Sequence, residues 1–101
     1  MNSNYNRGVR FERQVMAEWT ARGYQVSRTA GSHSSWDVIA YRSDHPVVLI
    51  QCKCLKTGTV AQAINLVKNF KAEPPLFPSR FFHQVIEVYA MKAKYRVQGT
   101  I

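Results

Sequence analysis

Residues 36–54, WDVIAYRSDHPVVLIQCKC, constrain the fold more than any other stretch of the chain. Two apolar runs, residues 36–41 and 47–54, flank the polar turn sequence RSDHP. That arrangement is typical of a hairpin, in which two antiparallel strands are joined by a tight turn. Because antiparallel neighbours run in opposite directions, the beginning of the first strand must lie beside the end of the second.

Polar side chains stand at this shared end of the predicted hairpin. Asp37 lies near the start of one strand, and Gln51 and Lys53 share one face of the other, because side chains alternate along a strand. A carboxylate and an amide oxygen are suitable ligands for Mg²⁺, and a lysine ammonium can orient a water and stabilise charge on a reacting phosphate. The alternative is a strand end that reaches solvent, where polar residues need no functional explanation.

Helical and strand periodicity continues on both sides of the hairpin. Apolar residues recur at helical spacing between Gly8 and Gly23, and Gly23 is suited to the left-handed conformation that ends a helix. Residues 24–28 alternate like a strand and precede a loop rich in Gly and Ser at 29–35. Thr59 is a candidate cap for a second helix that extends to about residue 71.

A proline-rich connector and two more strands complete the pattern. Three prolines within residues 73–79 exclude regular structure there, because each removes an amide donor and fixes φ. Residues 81–92 and 93–101 have the composition of strands, with a turn near Lys92 and Ala93. The order α-β-β-β-α-β-β predicts one domain over residues 1–101, an α/β or α+β sheet flanked by helices.

The charge balance indicates a polyanionic partner. Fourteen Lys and Arg against six Asp and Glu give a formal charge of +8, and so large an excess attracts nucleic acid at long range. A basic protein without a nucleic-acid partner is the alternative. The longest aliphatic run, residues 47–50, is far shorter than the ~20 residues of a membrane helix, and the first residues lack a signal peptide's apolar stretch. We expect no membrane partner and an intracellular protein, in the cytoplasm or associated with the nucleoid, whether its gene is cellular or viral.

The two cysteines favour free thiols. Cys52 and Cys54 are two residues apart on a predicted strand, so they share a face and cannot form an undistorted disulfide with each other. A zinc site needs about four ligands, and the spacing of His33, His45 and His83 matches no zinc pattern.

Glu12 interrupts the apolar stripe of the first predicted helix. With Phe11 at zero on a helical wheel of about 100° per residue, Glu12 falls between Trp19 and Met16. A carboxylate in a core-facing stripe costs several kcal/mol unless it is paired. Glu12 therefore needs a partner, which is either a core lysine or arginine in a structural ion pair or a group bound in a cleft.

Four motifs in this order resemble those of the archaeal-type Holliday junction resolvases, small dimeric members of the PD-(D/E)xK nuclease superfamily. They are GVRFER at residues 8–13, RTAGS at 28–32, WDVIA at 36–40 and IQCK at 50–53. The resemblance implies a mixed central sheet of about five strands, as in the nucleases of this superfamily. It also implies cleavage of four-way DNA junctions by a metal-activated water.

The resemblance assigns a metal site to the polar residues of the hairpin and the first helix. Glu12 and Asp37 match the family's metal-binding acids, and Lys53 matches its catalytic lysine. Gln51 stands where the family has a second acidic ligand, although Q-x-K versions occur in restriction-type relatives. With the backbone carbonyl of Cys52 as a further ligand, the site would hold Mg²⁺, or Mn²⁺ in its place, with one negative charge fewer than usual.

The resemblance also assigns DNA contacts and a dimer. Arg13, Arg28 and Ser32 match residues for phosphate contact and loop-assisted cleavage, so Ser32 joins Glu12, Asp37, Gln51 and Lys53 as a catalytic candidate. Thr29 replaces the family's usual serine. Location and charge alone add Arg7, Arg10 and Lys56 as candidate phosphate contacts, each of which is otherwise a solvated surface charge.

A homodimer would present two active sites to a two-fold junction and nick opposed strands. The apolar residues Phe81, Phe82, Val85, Ile86 and Val88 are either its interface or part of the core. Two alternatives to a junction resolvase stay open. One is a repair or restriction-type nuclease on other DNA, and the other is a junction-binding module in which Gln51 has removed catalysis.

Overall fold

The computed structural model describes residues 3–29, 36–70 and 81–100, with side chains from residue 8 onward. Its elements confirm the predicted order. They are α1 (Ser3–Ala21), β1 (Gln25–Arg28), β2 (Val38–Tyr41), β3 (Val47–Leu55), α2 (Val60–Lys68), β4 (Phe82–Ala90) and β5 (Tyr95–Thr100). The proline-rich connector and most of the loop after Arg28 lie outside the described residues.

One mixed sheet carries the fold, with the strands in the order β1-β2-β3-β4-β5. The first three strands form the predicted antiparallel meander, in which Val38 pairs with Ile50 across the hairpin. The chain then passes through α2 before β4 pairs in parallel with β3, and β5 turns back antiparallel on β4. The sheet is therefore the mixed α/β sheet that the sequence predicts.

Each face of the sheet is covered by one helix. Helix α1 buries Phe11, Val15 and Trp19 against a face that includes Val38 and Ile50. The spacing of these helix residues, four and four, places them on one stripe. The opposite face packs on α2 through a second cluster of buried residues, which are Ala63, Ile86, Val88 and Ala90.

The two predicted helix boundaries with specific chemistry are confirmed. Gly23 has φ 93°, and the amides of Gly23 and Tyr24 donate to the carbonyls of Thr20 and Trp19, which is a Schellman arrangement. The Thr59 hydroxyl accepts from the amide of Gln62, whose side chain accepts from the amide of Thr59. These two bonds form the capping box that starts α2.

Other boundaries differ from the expectation. Helix α1 begins at Ser3 instead of Gly8, since Gly8 is tolerated within a helix that is anchored by its apolar stripe. Helix α2 ends at Lys68 instead of about residue 71, with Asn69 as its cap. Val85, Ile86 and Val88 are buried core residues of this chain, so the dimer role considered for them is wrong, whereas Phe81 is exposed. Neither helix that the structure describes is long and apolar enough to cross a membrane.

Candidate nuclease site

Asp37 is fixed at the end of the sheet where β2 begins and β3 ends. Its amide donates to the carbonyl of Ile50 at 2.8 Å, and its carbonyl accepts from the amide of Thr29 at 3.0 Å. Its side-chain Oδ2 accepts from the amide of Cys52 at 2.8 Å. The predicted proximity of Asp37 to the 51–53 segment is therefore confirmed, and the backbone of β3 sets the direction of the carboxylate.

Thr29 adds a second brace at this end of the sheet. Its hydroxyl donates to the carbonyl of Trp36, and the register pairs Arg28 at the end of β1 with Val38 at the start of β2. The threonine that replaces the family's serine thus keeps a hydroxyl in the described structure. Both bonds of Thr29 hold the segment that carries Asp37.

Glu12 is paired with an arginine from the sheet. Nε of Arg28 lies 2.7 Å from Oε1 of Glu12, and the two side chains are 24% and 17% exposed. Glu12 is half-buried in the apolar stripe, and its predicted need for a partner is confirmed. The partner is Arg28 at the end of β1, which means that the predicted structural ion pair and the predicted phosphate contact involve the same arginine.

Cys52 lies at the same end of the sheet, where its backbone amide holds Asp37 and its side chain is partly buried. Burial raises the pKa of the Cys52 thiol well above its ordinary value, and the negative charges of Asp37, Glu12 and Glu87 raise it further. Cys52 is a free thiol that packs against the core cluster on the side of the sheet that faces α1.

Gln51 and Lys53 lie on the other face of β3, because side chains alternate along the strand. Gln51 is half-buried and Lys53 is exposed. The backbone of Gln51 is in register with Ile86 of β4. The candidate residues therefore lie toward one end of β3 on both faces of the sheet, with Glu12 on the α1 side and Gln51 and Lys53 on the other.

The donor set at this end consists of oxygen atoms. Among the described residues no group of three or more His, Cys, Asp and Glu is arranged to hold a metal ion. The acids that the resemblance names for the site are Glu12 and Asp37. The amide oxygen of Gln51 and the carbonyl of Cys52 are the other oxygen donors named for the site. Carboxylate, amide and carbonyl oxygens are all ligands of hard cations such as Mg²⁺.

The predicted phosphate-binding residues are not brought together to the same extent. Arg10 and Arg13 are exposed on α1, on the surface away from its apolar stripe. Lys56 is exposed just after β3 and lines a groove of about 640 Å³ together with Gln62, Asn65 and Met91. Ser32 and the side chain of Arg7 lie outside the described residues.

A second polar cluster at the other edge of the sheet was not predicted. Arg96 of β5 donates through Nη1 and Nη2 to the two carboxylate oxygens of Glu18, at 2.5 Å each. Its Nη2 is also 3.3 Å from Oε1 of Glu87, whose side chain is 3% exposed. Gln98 donates to the other oxygen of Glu87 at 2.7 Å, so this buried carboxylate is paired on both oxygens.

The sequence carried a signal for this cluster. Glu87 interrupts an apolar strand in the way that Asp37 does, and such a residue needs a buried partner. The hydrogen bond from Arg96 lowers the pKa of Glu18, and the same bond raises the pKa of Arg96. The two charge-assisted hydrogen bonds between Arg96 and Glu18 therefore tie α1 to the sheet.

The chain matches a known protein family. The family model described as archaeal Holliday junction resolvase matches residues 3–98. The match includes every element of the fold except the last two residues of β5. A search of the curated proteins finds no match.

Proposed function

Because this chain belongs to the archaeal Holliday junction resolvase family, a family of nucleases that act in DNA recombination and repair, we propose that it is a metal-dependent endonuclease. In this proposal a homodimer resolves four-way DNA junctions by paired symmetric nicks. The observation that carries the proposal is the hydrogen bond from the Cys52 amide to Asp37, which fixes a carboxylate at the sheet end where Arg28 pairs with Glu12.

The residues present fit a divalent cation that takes few ligands from the protein. Glu12, Asp37, the Gln51 amide oxygen and the Cys52 carbonyl would hold Mg²⁺ with Mn²⁺ as a substitute, since Mg²⁺ takes few protein oxygens and keeps several waters. A bound ion of this kind supplies Lewis-acid activation of the phosphodiester and of the attacking water. This chain has two acids at the positions where the family pattern has three, and the smaller negative charge favours weaker metal binding than is usual in the family.

The protein side chains have separate tasks in the proposed reaction. Asp37 is directed by the β3 backbone and needs little reorganisation when a cation binds, which is the advantage of a preorganised site. Lys53 is exposed and offers three donors to an oxygen on which charge develops. Arg28 offers a planar fork that suits a phosphate.

DNA binding in this proposal depends on charge and shape. The formal charge of +8 favours contact with phosphates, which position the protein without reading bases. A two-fold dimer would match the symmetry of a four-way junction. Arg7, Arg10, Arg13, Arg28, Ser32 and Lys56 are the candidate contacts.

The test uses three labelled substrates of equal length: a four-way junction, a linear duplex and a single strand. Each is incubated with the protein and Mg²⁺, and sedimentation of the protein reports its oligomeric state. Paired nicks in the junction alone, from a dimer, support the proposal. Cleavage of the duplex at an equal rate would contradict junction selectivity and favour a repair or restriction-type nuclease.

Gln51 favours one further candidate function, a junction-binding module without catalysis. Its amide replaces an acidic ligand, and a metal site with less negative charge holds its ion less tightly. Tight binding of the junction without nicks at any Mg²⁺ or Mn²⁺ concentration would support the binding module and contradict the nuclease.

A further inference from the structure

The Glu12–Arg28 ion pair joins two residues that the proposed function needs for different partners. Glu12 is a candidate metal ligand and Arg28 a candidate phosphate contact, yet their side chains bind each other at 2.7 Å. The pair also connects two elements, since Glu12 belongs to α1 and Arg28 ends β1. A ligand that binds to one of these two side chains therefore affects the other side chain.

The pair opposes metal binding while it is intact. Both side chains are mostly withdrawn from water, at 17% and 24% exposure, so their charges are less screened than those of a surface pair. A cation that approaches Glu12 meets the positive guanidinium at the same carboxylate. The attraction between Glu12 and a divalent ion must then compete with an existing charge-assisted hydrogen bond.

A DNA phosphate is the partner that can replace Glu12 on Arg28. Guanidinium groups bind phosphate in the same forked geometry as carboxylate. Arg28 is the more exposed member of the pair, and it ends a strand beside Asp37, where the reacting phosphodiester would lie. A phosphate at that position can therefore draw Arg28 outward.

We propose that the Glu12–Arg28 ion pair is an interlock through which DNA binding completes the metal site. In free protein Arg28 holds Glu12, and in the complex a phosphate takes Arg28 and leaves Glu12 for the cation. This inference rests on the proposed nuclease function and adds its regulation. Metal would be held strongly only where a substrate phosphate is present.

The interlock requires reciprocal coupling between the two ligands. If DNA tightens metal binding by some factor, metal must tighten DNA binding by the same factor. Coupling between sites in proteins is typically about 5- to 150-fold. We expect roughly a tenfold gain in metal affinity on junction binding, near the lower end of this range.

The experiment is a calorimetric titration of Ca²⁺, a hard cation that seeks oxygen ligands, into the protein alone and into its complex with an intact four-way junction. Gel analysis after each titration verifies that the junction is uncut. The variants are Arg28→Gln, Glu12→Gln and the double substitution. Arg28→Lys is a second variant if Arg28→Gln melts at a lower temperature. Glu18→Gln is the matched control, because it breaks the other ion pair between α1 and the sheet.

The interlock predicts a distinct pattern. Arg28→Gln should bind Ca²⁺ several-fold more tightly than the natural protein without DNA, and its further gain on adding junction should fall below about threefold, at or under the lower limit of ordinary coupling. In the Glu12→Gln background, Arg28→Gln should have no effect on Ca²⁺ affinity, which excludes general charge repulsion by the logic of a double-mutant cycle. Glu18→Gln should retain the full gain in Ca²⁺ affinity when junction is added.

Two results would overturn the interlock and leave the nuclease intact. If Arg28→Gln or Arg28→Lys weakens Ca²⁺ binding in free protein, Arg28 positions Glu12 for the metal instead of withholding it. If Arg28→Gln keeps the full gain on DNA binding, the coupling arises elsewhere. Failure of the proposed function looks different, because then the natural protein binds no Ca²⁺ either with or without junction and cuts no junction with Mg²⁺, and the interlock fails with it.

Discussion

The amide of Cys52 donates a 2.8 Å hydrogen bond to Oδ2 of Asp37 and thereby fixes the carboxylate against the end of β3. The bond joins a side chain at the start of one strand to the backbone of its neighbour. It leaves Oδ1 as the second oxygen of the carboxylate for another partner. This relationship makes Asp37 the most informative position for substitution.

Asp37→Asn should abolish cleavage and preserve junction binding. The asparagine oxygen can still accept from the Cys52 amide, so the fold is retained, while the charge that attracts a cation is lost. We expect a loss of at least about a hundredfold in cleavage rate, comparable with the removal of one strong electrostatic contact from an active site. Single-turnover cleavage and gel-shift assays measure the two effects.

Asp44→Asn is the matched control for that substitution. Asp44 is exposed in the β2–β3 turn with φ 63°, a conformation that asparagine adopts readily. Cleavage by Asp44→Asn should equal that of the natural protein. Loss of folding in Asp37→Asn, seen by circular dichroism, would show that Asp37 has a structural role instead of the proposed catalytic one.

Gln51→Glu should lower the Mg²⁺ concentration needed for half-maximal cleavage. The change adds a negative charge at the position where the family has an acid, and carboxylates bind Mg²⁺ more strongly than amides do. We expect a shift of about tenfold, equivalent to about 1.4 kcal/mol. A Mg²⁺ titration of junction cleavage gives the value.

Gln25→Glu makes the same chemical change at an exposed position of the edge strand β1. It should leave the Mg²⁺ dependence unchanged. If Gln51→Glu also has no effect, the side chain at position 51 is not a metal ligand. Cleavage that appears only in Gln51→Glu would identify the natural protein as a junction-binding module.

Arg96→Met should destabilise the fold more than the same substitution of an exposed arginine does. The substitution leaves the buried Glu87 carboxylate without its cation, and an unpaired buried charge costs about 3 to 5 kcal/mol. Urea unfolding at pH 7 measures the change in the free energy of unfolding. Arg10→Met on the exposed surface of α1 is the control and should change it by less than about 0.5 kcal/mol.

The ion pair between Glu18 and Arg96 should contribute to the loss of folding stability at acidic pH. The hydrogen bond from Arg96 lowers the pKa of Glu18 below its ordinary value of 4.5 in the folded state. The stability that ionised Glu18 contributes to the fold is therefore fully present above pH 4.5, and it is lost as the pH falls through the lower pKa of the folded state.

Glu18→Gln should flatten the decline in stability over that acidic interval, because glutamine does not titrate. Thermal unfolding followed from pH 6 down to pH 2 tests this. Asp44→Asn serves as the control for loss of one exposed carboxylate. If the stability of Glu18→Gln falls with decreasing pH as steeply as that of the natural protein, the Glu18–Arg96 pair does not contribute to the acid dependence of stability.

Local patterns predicted most of the architecture. The alternation in residues 36–54 predicted the β2–β3 hairpin, and Gly23 and Thr59 predicted two helix boundaries, because each depends on chemistry within a few residues. The position of Asp37 beside the end of β3 followed from the hairpin alone. The resemblance to junction resolvases agreed with the family found for the chain.

Partners distant in sequence could not be predicted in the same way. The periodicity of α1 showed that Glu12 needed a partner, but the choice of Arg28 depends on how α1 crosses the sheet. Arg96 and Glu18 are 78 residues apart, and no local pattern relates a helix residue to an edge strand. The position of Glu12 opposite Gln51 and Lys53 likewise depends on which face of the sheet α1 covers.

The hairpin that carries Asp37 also has a consequence for the order of folding. Asp37 and Cys52 are 15 residues apart, whereas the parallel pairing of β3 with β4 joins residues that are 35 apart, as in Val47 and Phe82. Closing a longer loop costs more chain entropy and slows folding. We therefore expect the nascent chain to form the Asp37–Cys52 contact early and to acquire the Arg96–Glu18 ion pair, which joins residues 78 apart, later.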